Sequence, residues 1–592
     1  TQGNGALVGV SPVYAHMGLI TTSSTNPSDW KYVQVSDFNS PDPKVLMTEI
    51  APNLHQIKIP GRSFYGIPAT DTALQLSFVF RNADGSTVGR DTDGSDIYYD
   101  LYNGSGQAVL ILSPVEGQLV QQGNSVNIEA AVAQTADLTI EVNGVQVASA
   151  TGKSIANTFT ANQSGLNKVV LNVNTGGSIP KDSTTFLVPA PNTVLDPPAG
   201  TEPGINYLND STVILALYAP EKNTVFAIGD FNDWQPDGAS QMNKSVDGNT
   251  YWLQLTGLNS GQEYVYQYLV DGTTKIADPF ADKFLDENND QCISQETYPN
   301  LIPFPSDKTS GRASVFQTAQ VPYDWQDGNY VKPNQEELVI YELLVRDFVA
   351  ARNYKTVLDS LDYLANMGIN AIELMPIMEF ENNNSWGYNP SFFFAVDKYY
   401  GTKDALKTFI DSCHSRGIAV ILDMVLNHAF GQNEYVRMYP SADNPFFNQN
   451  PTHPFNVGTD FNHESVHTRF FSKKVLEYWL EEYHFDGYRM DLSKGFTQVN
   501  NPNNVGAWGA YDASRIAILT DYFNHVRSVD PTSYFILEHF SDNQEERELA
   551  NLGMMLWGNH TFNYGEATMG YHDQGKSNFI GVSYKIRGFQ SP

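Results

Sequence analysis

Three segments of the chain place an acidic side chain at the end of an apolar run. Asp423 lies near the end of IAVILDMV (418–425), Asp491 follows FDGYRM, and Glu538 follows YFIL. Short continuous apolar runs of this kind are typical of strands buried in a parallel sheet. The carboxyl ends of parallel strands meet at one edge, which is where barrel enzymes carry their catalytic groups. We therefore expect the three carboxylates to lie together.

The residue types suit acid–base chemistry on a neutral substrate. Arg489 precedes Asp491 by two residues, so strand alternation points both side chains to the same side. A guanidinium beside a carboxylate lowers its pKa, which suits a nucleophile, and a second, protonated carboxyl suits a general acid. Two carboxyls about 5 Å apart are the equipment of a retaining glycoside hydrolase. The alternative is a structural ion-pair network.

Strand and helix patterns alternate after about residue 335. Two amphipathic helices are predicted, at 355–367 and 403–416, each followed by a glycine. This alternation predicts a parallel sheet covered on both faces. A (β/α)₈ barrel over 335–592 suits the domain size, although a doubly wound sheet fits the periodicity equally well. The predicted strands are 339–345, 371–375, 418–425, 485–490 and 534–537.

The first 310 residues have a different pattern, with short alternating runs separated by turn signals such as Asn143-Gly144 and Asp271-Gly272. Regular short strands of this kind predict successive β-sandwiches. We place an N-terminal sandwich at 1–112, an immunoglobulin-like sandwich at 113–190 and a third sandwich at 200–315. The chain is therefore predicted to be multidomain, with all-β domains preceding the barrel.

The composition of the chain indicates a neutral binding partner. The 592 residues carry 35 basic and 66 acidic side chains, a net charge of −31, which repels nucleic acid and anionic lipid. No stretch is long and apolar enough to predict a membrane span, and two cysteines exclude a disulfide framework. The abundance of Asn, Ser, Thr, Gly and Tyr is common in extracellular proteins that handle neutral polymers. We expect a secreted, cell-surface or periplasmic protein, although the chain shows no signal peptide.

These segments carry a family resemblance. DMVLNH (423–428), DGYRMDLSK (486–494) and EHF (538–540) resemble three conserved regions of the α-amylase superfamily, glycoside hydrolase family 13. The segment 375–402, with SWGYNP, is similar to the pullulanase, isoamylase and branching-enzyme side of that family. GDFNDW (229–234) and YVYQYLVDG (264–272) resemble the starch-binding-type β-sandwich that precedes the barrel in those enzymes. The resemblance covers about residues 210–592.

The resemblance implies roles for individual residues. Asp491 would be the nucleophile and Glu538 the general acid and base, with Arg489 orienting Asp491 and Asp423 fixing that arginine. The remaining substrate-binding residues that it implies are Tyr388 (a stacking platform), His428 (a hydrogen bond to the sugar), Trp386 and Lys494.

Three further positions carry expectations of their own. Many relatives have Lys-His after the nucleophile, whereas this chain has Lys494-Gly495. Asn427 matches a calcium ligand of many α-amylases, although the short insert at 429–465 shows no recognisable partner ligands. The chemistry requires no cofactor, and calcium is the one metal candidate. Trp234 is a candidate secondary glucan site, with core packing as the alternative.

The expected function is that of a retaining hydrolase acting on α-1,4 or α-1,6 bonds of starch- or glycogen-type glucans. A 1,4-α-glucan branching enzyme is the alternative, because it forms the same intermediate and passes it to a sugar hydroxyl. A glucan-binding surface protein with a decayed barrel is the non-enzymatic alternative. The motifs do not separate hydrolysis from transfer.

The end of the chain carries one more expectation. Five strands, with a sixth at 554–557, precede Pro592, and six strands do not close an eight-stranded barrel. His572-Asp573 lies in a turn-like segment and does not resemble the family's fourth region, a strand ending in His-Asp. We therefore expect a barrel truncated after about strand six, with the third catalytic carboxylate beyond Pro592.

Overall fold

The computed structural model describes residues 5–573 and 577, apart from 22, 27, 36, 52, 60–61, 69–70, 72, 92–93, 102–108, 175–180, 441–442, 559 and 574–576. The chain divides into two compact units. The first comprises Thr1–Glu116, Ser125–Thr160 and Lys168–Thr185. The second comprises Gly117–Asn124, Ala161–Asn167 and Phe186–Pro592, and it contains the candidate site.

A six-stranded parallel sheet organises the second unit. Its strands pair in the order in which they occur along the chain. A doubly wound sheet reverses its strand order at a switch point, so the sequential order decides between the two predicted architectures. The described strands form a curled half-barrel. They are β1 (Ile340–Leu343), β2 (Ala371–Leu374), β3 (Ala419–Met424), β4 (Gly487–Met490), β5 (Tyr534–Leu537) and β6 (Met555–Leu556).

The sequence pattern predicted these elements well. All five predicted strands are present, and β6 lies inside the expected sixth. The helix Lys403–His414 begins at Thr402, whose hydroxyl accepts from Ala405 N–H, and Gly417 follows at φ 69°. The predicted helix 355–367 is divided into Tyr354–Leu358 and Leu361–Asn366, because a turn at Asp359 and Ser360 interrupts it. The other long helices are Val466–Tyr483, Ala513–Val529, Asn543–Asn551 and Thr561–Thr568.

None of the helices in the described part of the chain is long and apolar enough to cross a membrane.

Residues 204–317 form two antiparallel sheets that pack against the half-barrel. Tyr435 and Tyr439, from the insert after β3, donate hydrogen bonds to the carbonyls of Tyr218 and Pro220 at 3.1 and 2.5 Å. Phe280 stacks on Phe394 at 4.7 Å. These contacts give the sandwich and the half-barrel a common apolar core. The first sheet contains 204–209, 212–218, 243–244 and 250–256, and the second contains 225–229, 263–270, 274–276, 284–286 and 312–317.

The N-terminal regions are β structure, as predicted, but the described residues do not confirm two separate sandwiches. One five-stranded sheet contains 14–21, 31–34, 73–81, 88–89 and 97–100, with a hairpin at 48–51 and 54–56. One six-stranded sheet contains 109–113, 118–119, 125–142, 145–160, 165–174 and 181–188. Alternating patterns identify strands but do not show how they are shared among sheets.

The expected truncation of the barrel stays a prediction, because residues 578–592 lie outside the described part. His572 and Asp573 are exposed and follow the helix Thr561–Thr568. They do not lie at the end of a described strand, as the turn-like sequence indicated.

The strands β4 and β5 lie so close together at Gly487 that no side chain fits there. The φ of Gly487 is 154°, and a Cβ there would lie 2.2 Å from the carbonyl oxygen of Tyr534. We expect Gly487→Ala to lower the free energy of unfolding by about 2 kcal/mol or more, because the clash is with backbone. Gly565→Ala is the control, since it lies in a helix with open space around it and should be neutral or stabilising. Urea unfolding of both variants measures the effect, and equal midpoints would contradict the prediction.

Candidate active site

The strand ends bring the predicted acidic residues together. Asp423 pairs in register with Arg489 across β3 and β4, and Met490 pairs with Leu537 across β4 and β5. The hydrogen-bond ladder continues past these strands, because Asp491 N–H donates to Met424 O at 3.0 Å and Glu538 N–H donates to Met490 O at 3.2 Å. Backbone pairing therefore places both candidate catalytic residues on adjacent strand ends.

Arg489 is the centre of the site. Its Nη1 donates to Asp423 Oδ1 and to Asp491 Oδ1, both at 2.8 Å, and its Nη2 lies 3.0 Å from Glu538 Oε2. The arginine is 4% exposed, and Asp423 is fully buried. A single guanidinium thus holds three carboxylates from three neighbouring strands.

The charge balance contradicts one expectation. We expected Arg489 to lower the pKa of Asp491. Instead, burial, together with the charges of Asp423 and Glu538, raises that pKa to about 7 despite the guanidinium. Burial also raises the pKa of Asp423 to about 6, although Arg489 and Tyr388 oppose it. One positive charge cannot compensate three neighbouring carboxylates, two of which are largely buried.

The backbone after each candidate catalytic residue adopts a rare conformation. Leu492 has φ 44° and Phe540 has φ 50°, both in the left-handed region. Such residues cost on the order of 1–3 kcal/mol each and concentrate at functional sites. The turn after Asp491 directs the Leu492 N–H to Glu538 Oε2 at 3.0 Å. Backbone geometry therefore links the segment after Asp491 to the carboxyl of Glu538.

A buried network that the sequence analysis missed holds these two segments together. Ser493 Oγ donates to the carbonyl of Glu538 at 2.9 Å and lies 3.0 Å from His539 Nδ1. His539 Nε2 contacts Glu545 Oε1 at 2.8 Å. Arg515 pairs with both oxygens of Glu545, at 2.6 and 2.7 Å. Charged residues at buried positions of a helix were the available signal, since such residues are almost always paired.

Tyr388 and His428 form one side of the site. The Tyr388 hydroxyl donates to Asp423 Oδ2 at 2.6 Å, and the His428 Nε2–H donates to the carbonyl of Tyr388 at 2.8 Å. Burial lowers the pKa of His428, which keeps the ring neutral. Trp386, two residues before Tyr388, is 58% exposed. Trp386 and Tyr388 thus lie on one chain segment, and His428 contacts it. The roles of these three residues in binding sugar stay predictions.

Lys494 lies on the other side, next to the segment after β5. Its Nζ donates to the carbonyl of Phe540 at 3.0 Å and lies 4.1 Å from the ring centroid of Trp508. Burial lowers its pKa, and the charge of Arg515 adds to this. The lysine is therefore anchored beside the site by Phe540 and Trp508.

A second acidic group lies on the inner face of the sheet. Glu342 on β1, Glu373 on β2 and Asp423 on β3 bring carboxylate oxygens within 4.8 Å of one another. Burial and the charge of Asp423 raise the pKa of Glu373 to about 8, so it carries a proton at neutral pH. The sequence analysis missed Glu373, although an acidic residue inside the apolar run AIELMPI (371–377) was a signal.

Asn427 lies beside two other buried polar side chains. Its Oδ1 is buried without a hydrogen-bond partner, as is Asp460 Oδ1. The third polar group nearby is the imidazole of His453, whose pKa burial lowers to about 4, helped by His428 and Lys494. Calcium takes six to eight oxygen ligands, which include backbone carbonyls and water. The described side chains here supply two oxygens, so a calcium site at Asn427 stays a prediction.

The structure corrects the expectation of a glucan site at Trp234. This residue is 5% exposed and packs in the sandwich core with Phe226, Ile228 and Val265. Its indole N–H donates to Asp230 at 3.1 Å. A ring buried on both faces cannot stack on a sugar, so the alternative of core packing is correct.

Acidic residues at the ends of sequentially ordered parallel strands, held by a buried arginine, define an active site of the barrel-enzyme class. The protein-family model described as "Alpha amylase, catalytic domain" matches residues 280–467. This match confirms the resemblance to the α-amylase superfamily over that region. The match ends before Asp491 and Glu538, so their roles depend on motif and geometry.

The curated relatives that the chain resembles include a trehalohydrolase and branching enzymes. Malto-oligosyltrehalose trehalohydrolase of Saccharolobus solfataricus is 32% identical over 213 residues, 35% of this chain and 37% of the relative. The 1,4-alpha-glucan branching enzyme GlgB of Aliivibrio fischeri is 26% identical over 57% of this chain and 45% of its own length. The chain thus spans less than half the length of these relatives. The solved Group B Streptococcus pullulanase SAP is 20% identical, with a TM-score of 0.43 over 73% of this chain and 58% of its own.

The variant Asp491→Asn tests whether the pKa of this carboxyl is raised in the folded protein. The folded-state pKa of Asp491, about 7, exceeds the usual carboxyl value near 3.9. Protonation of Asp491 therefore stabilises the folded state fully below pH 4, and this stabilisation is lost as the pH rises through 7. An amide avoids this loss. We expect the variant to melt a few degrees higher than the wild type at pH 8 and at the same temperature at pH 4.5.

Calorimetry of the full chain at the two pH values measures this effect. Asp362→Asn is the matched control, because its carboxylate is 80% exposed and pairs with Arg416 on the surface. Equal destabilisation of Asp491→Asn at both pH values would show that the raised pKa is wrong.

Proposed function

We propose that the chain is a retaining α-glucan-acting enzyme, most directly a hydrolase of α-1,4 or α-1,6 bonds in starch- or glycogen-type substrates. The observation that carries the proposal is the contact of Arg489 with both Asp491 and Glu538 on adjacent strand ends. A retaining mechanism needs two carboxyls close together. The similarity of residues 280–467 to the α-amylase catalytic domain supports glucan as the substrate class.

The proposed reaction uses each carboxyl once per half-reaction. Ionised Asp491 attacks the anomeric carbon while Glu538 gives its proton to the glycosidic oxygen, which leaves as a hydroxyl. Glu538 then takes a proton from water, and the resulting hydroxide displaces Asp491 from the sugar. Two displacements at one carbon retain its configuration.

A branching activity is the second candidate. It replaces water with a sugar hydroxyl in the second displacement and needs no other change at Asp491 or Glu538. The branching enzymes among the relatives, at 26–29% identity, support it. We also propose that the protein acts outside the cytoplasm, on the grounds of its composition.

The experiment is a product profile of the full chain on pullulan, amylose and glycogen. Hydrolysis predicts new reducing ends, and transfer predicts a changed iodine spectrum without them. Glu538→Gln should lower turnover about 10²–10⁴-fold while retaining glucan binding, because the lost proton acts mainly in the transition state. Glu481→Gln is the control, since its side chain is exposed near the end of the helix Val466–Tyr483.

The outcomes distinguish the candidates. Products from the wild type that persist in Glu538→Gln would show that the acid is wrongly assigned. A wild type that binds glucan and yields neither reducing ends nor a changed iodine spectrum would favour the non-enzymatic alternative.

A further inference from the structure

Glu373 on β2 and Arg489 on β4 each bury a polar atom that has no hydrogen-bond partner in the described part of the chain. These atoms are Glu373 Oε1 and Arg489 Nε, and they lie 4.0 Å apart. The two residues are 1% and 4% exposed. Most buried polar atoms in proteins are paired, because an unpaired one is costly. Here an acceptor and a donor lie just beyond hydrogen-bond distance of each other.

The strand register explains why Glu373 lies on the same face of the sheet as Arg489. Glu342 on β1 pairs with Glu373, which pairs with Ile421 on β3. Asp423, two residues beyond Ile421, points to the same side because side chains alternate along a strand, and it pairs with Arg489. The inner face thus carries one acidic residue on each of β1, β2 and β3, next to the arginine on β4.

The guanidinium of Arg489 is already engaged by three other carboxyls. Its Nη1 donates to Asp423 and Asp491, both at 2.8 Å, and its Nη2 lies 3.0 Å from Glu538 Oε2. The ring of Trp557 lies 4.6 Å from the guanidinium carbon. A fourth carboxylate that competes for this cation would therefore do so through the Nε–H.

The charges around Glu373 keep its carboxyl neutral at neutral pH. Oxygens of Glu342 on β1 and Asp423 on β3 lie within 4.8 Å of an oxygen of Glu373. Burial, followed by the charge of Asp423, raises the pKa of Glu373 to about 8; Glu342 and Glu538 add to this effect, and Arg489 opposes it. The proton of Glu373 is therefore lost to solvent only in mildly alkaline solution.

We propose that Glu373 is a positioning residue that acts on Asp491 through Arg489. As a neutral carboxyl, Glu373 leaves the guanidinium to Asp423 and Asp491. Once ionised, it attracts the Nε edge of Arg489 and weakens the charge-assisted hydrogen bond that holds the Asp491 carboxylate. The inference rests on the proposed function, in which Asp491 is the nucleophile, and it adds an ionisation outside the two reacting carboxyls.

The consequence is a narrow pH range of activity. Asp491 must lose its proton to attack, and its pKa is about 7. Glu373 must keep its proton, and its pKa is about 8. Since kcat/KM follows the ionisations of the free enzyme, it should fall about fivefold between pH 7.5 and pH 9.

The pH dependence of kcat/KM on a chromogenic maltooligosaccharide, measured with the full chain, tests this role. The variant Glu373→Gln keeps the shape of a neutral carboxyl and does not ionise. We expect it to match the wild type within about twofold at pH 7 and to lose most of the fall at pH 9. Glu481→Gln is the control, because it removes the same charge from an exposed position, and its profile should follow that of the wild type.

A second variant and a second measurement support the assignment. Glu373→Leu removes the charge without supplying an amide, and it should flatten the profile at pH 9 in the same way. The folded-state pKa of about 8 exceeds the usual glutamate value near 4.3. Protonation of Glu373 therefore stabilises the folded state fully below pH 4, and this stabilisation is lost as the pH rises through 8. The melting temperature of the wild type should fall more between pH 7 and 9.5 than that of Glu373→Gln.

The outcomes separate this inference from the proposed function. An active wild type whose pH profile is unchanged in Glu373→Gln would overturn the role of Glu373 alone. So would folded Glu373→Gln that has lost more than about tenfold of its activity at pH 7, because the site would then need the ionised carboxylate. Equal melting profiles of the two proteins would show that Glu373 does not carry the proton. A wild type without turnover at any pH would refute the proposed function and, with it, the role in the reaction.

Discussion

One buried guanidinium has to neutralise more negative charge than it carries, and the candidate site is organised around this imbalance. Arg489 contacts Asp423, Asp491 and Glu538 at 2.8–3.0 Å while it is 4% exposed. Burial lowers the pKa of this arginine, but the carboxylates more than offset that effect and raise it. Arg489 therefore stays positively charged at the centre of the site, with the three carboxyl groups around it. Removing the arginine would leave buried carboxylates unpaired, which is among the most costly changes a protein core can undergo.

Such a centre is stable only if the surrounding backbone prevents the carboxylates from separating. The parallel ladder from β3 to β5 fixes their spacing, and hydrogen bonds continue to Asp491 and Glu538 beyond the strands. Two left-handed residues, Leu492 and Phe540, then turn the chain sharply after each group. The buried pair of Arg515 and Glu545, through His539 and Ser493, holds the turns against each other. Backbone strain at the site is thus compensated by polar contacts behind it.

The sequence predicted those features that depend on local pattern or on motif. Buried strands have continuous apolar runs, and parallel strands share an edge, so the meeting of Asp423, Arg489, Asp491 and Glu538 followed directly. Burial and long-range contacts were not visible in the sequence. The pKa of Asp491 was expected to fall because Arg489 is adjacent in sequence, whereas Asp423 and desolvation come from the fold. Trp234 looked like a binding residue for the same reason, since a turn motif does not show what covers it.

The excess of acidic groups has a consequence for the proposed reaction. Glycosidic cleavage passes through an oxocarbenium-like transition state, in which a neutral sugar gains positive charge. Carboxylates around the sugar interact with this charge and hardly at all with the neutral ground state, so their field favours the transition state selectively. Arg489 holds Asp423 and Asp491 in place by hydrogen bonds. Glu342 lies near Asp423, whereas Glu373, which is protonated at neutral pH, adds no charge to this field. Crowding acidic groups around one arginine costs folding stability. The same crowding supplies the negative field that stabilises the transition state of the proposed reaction.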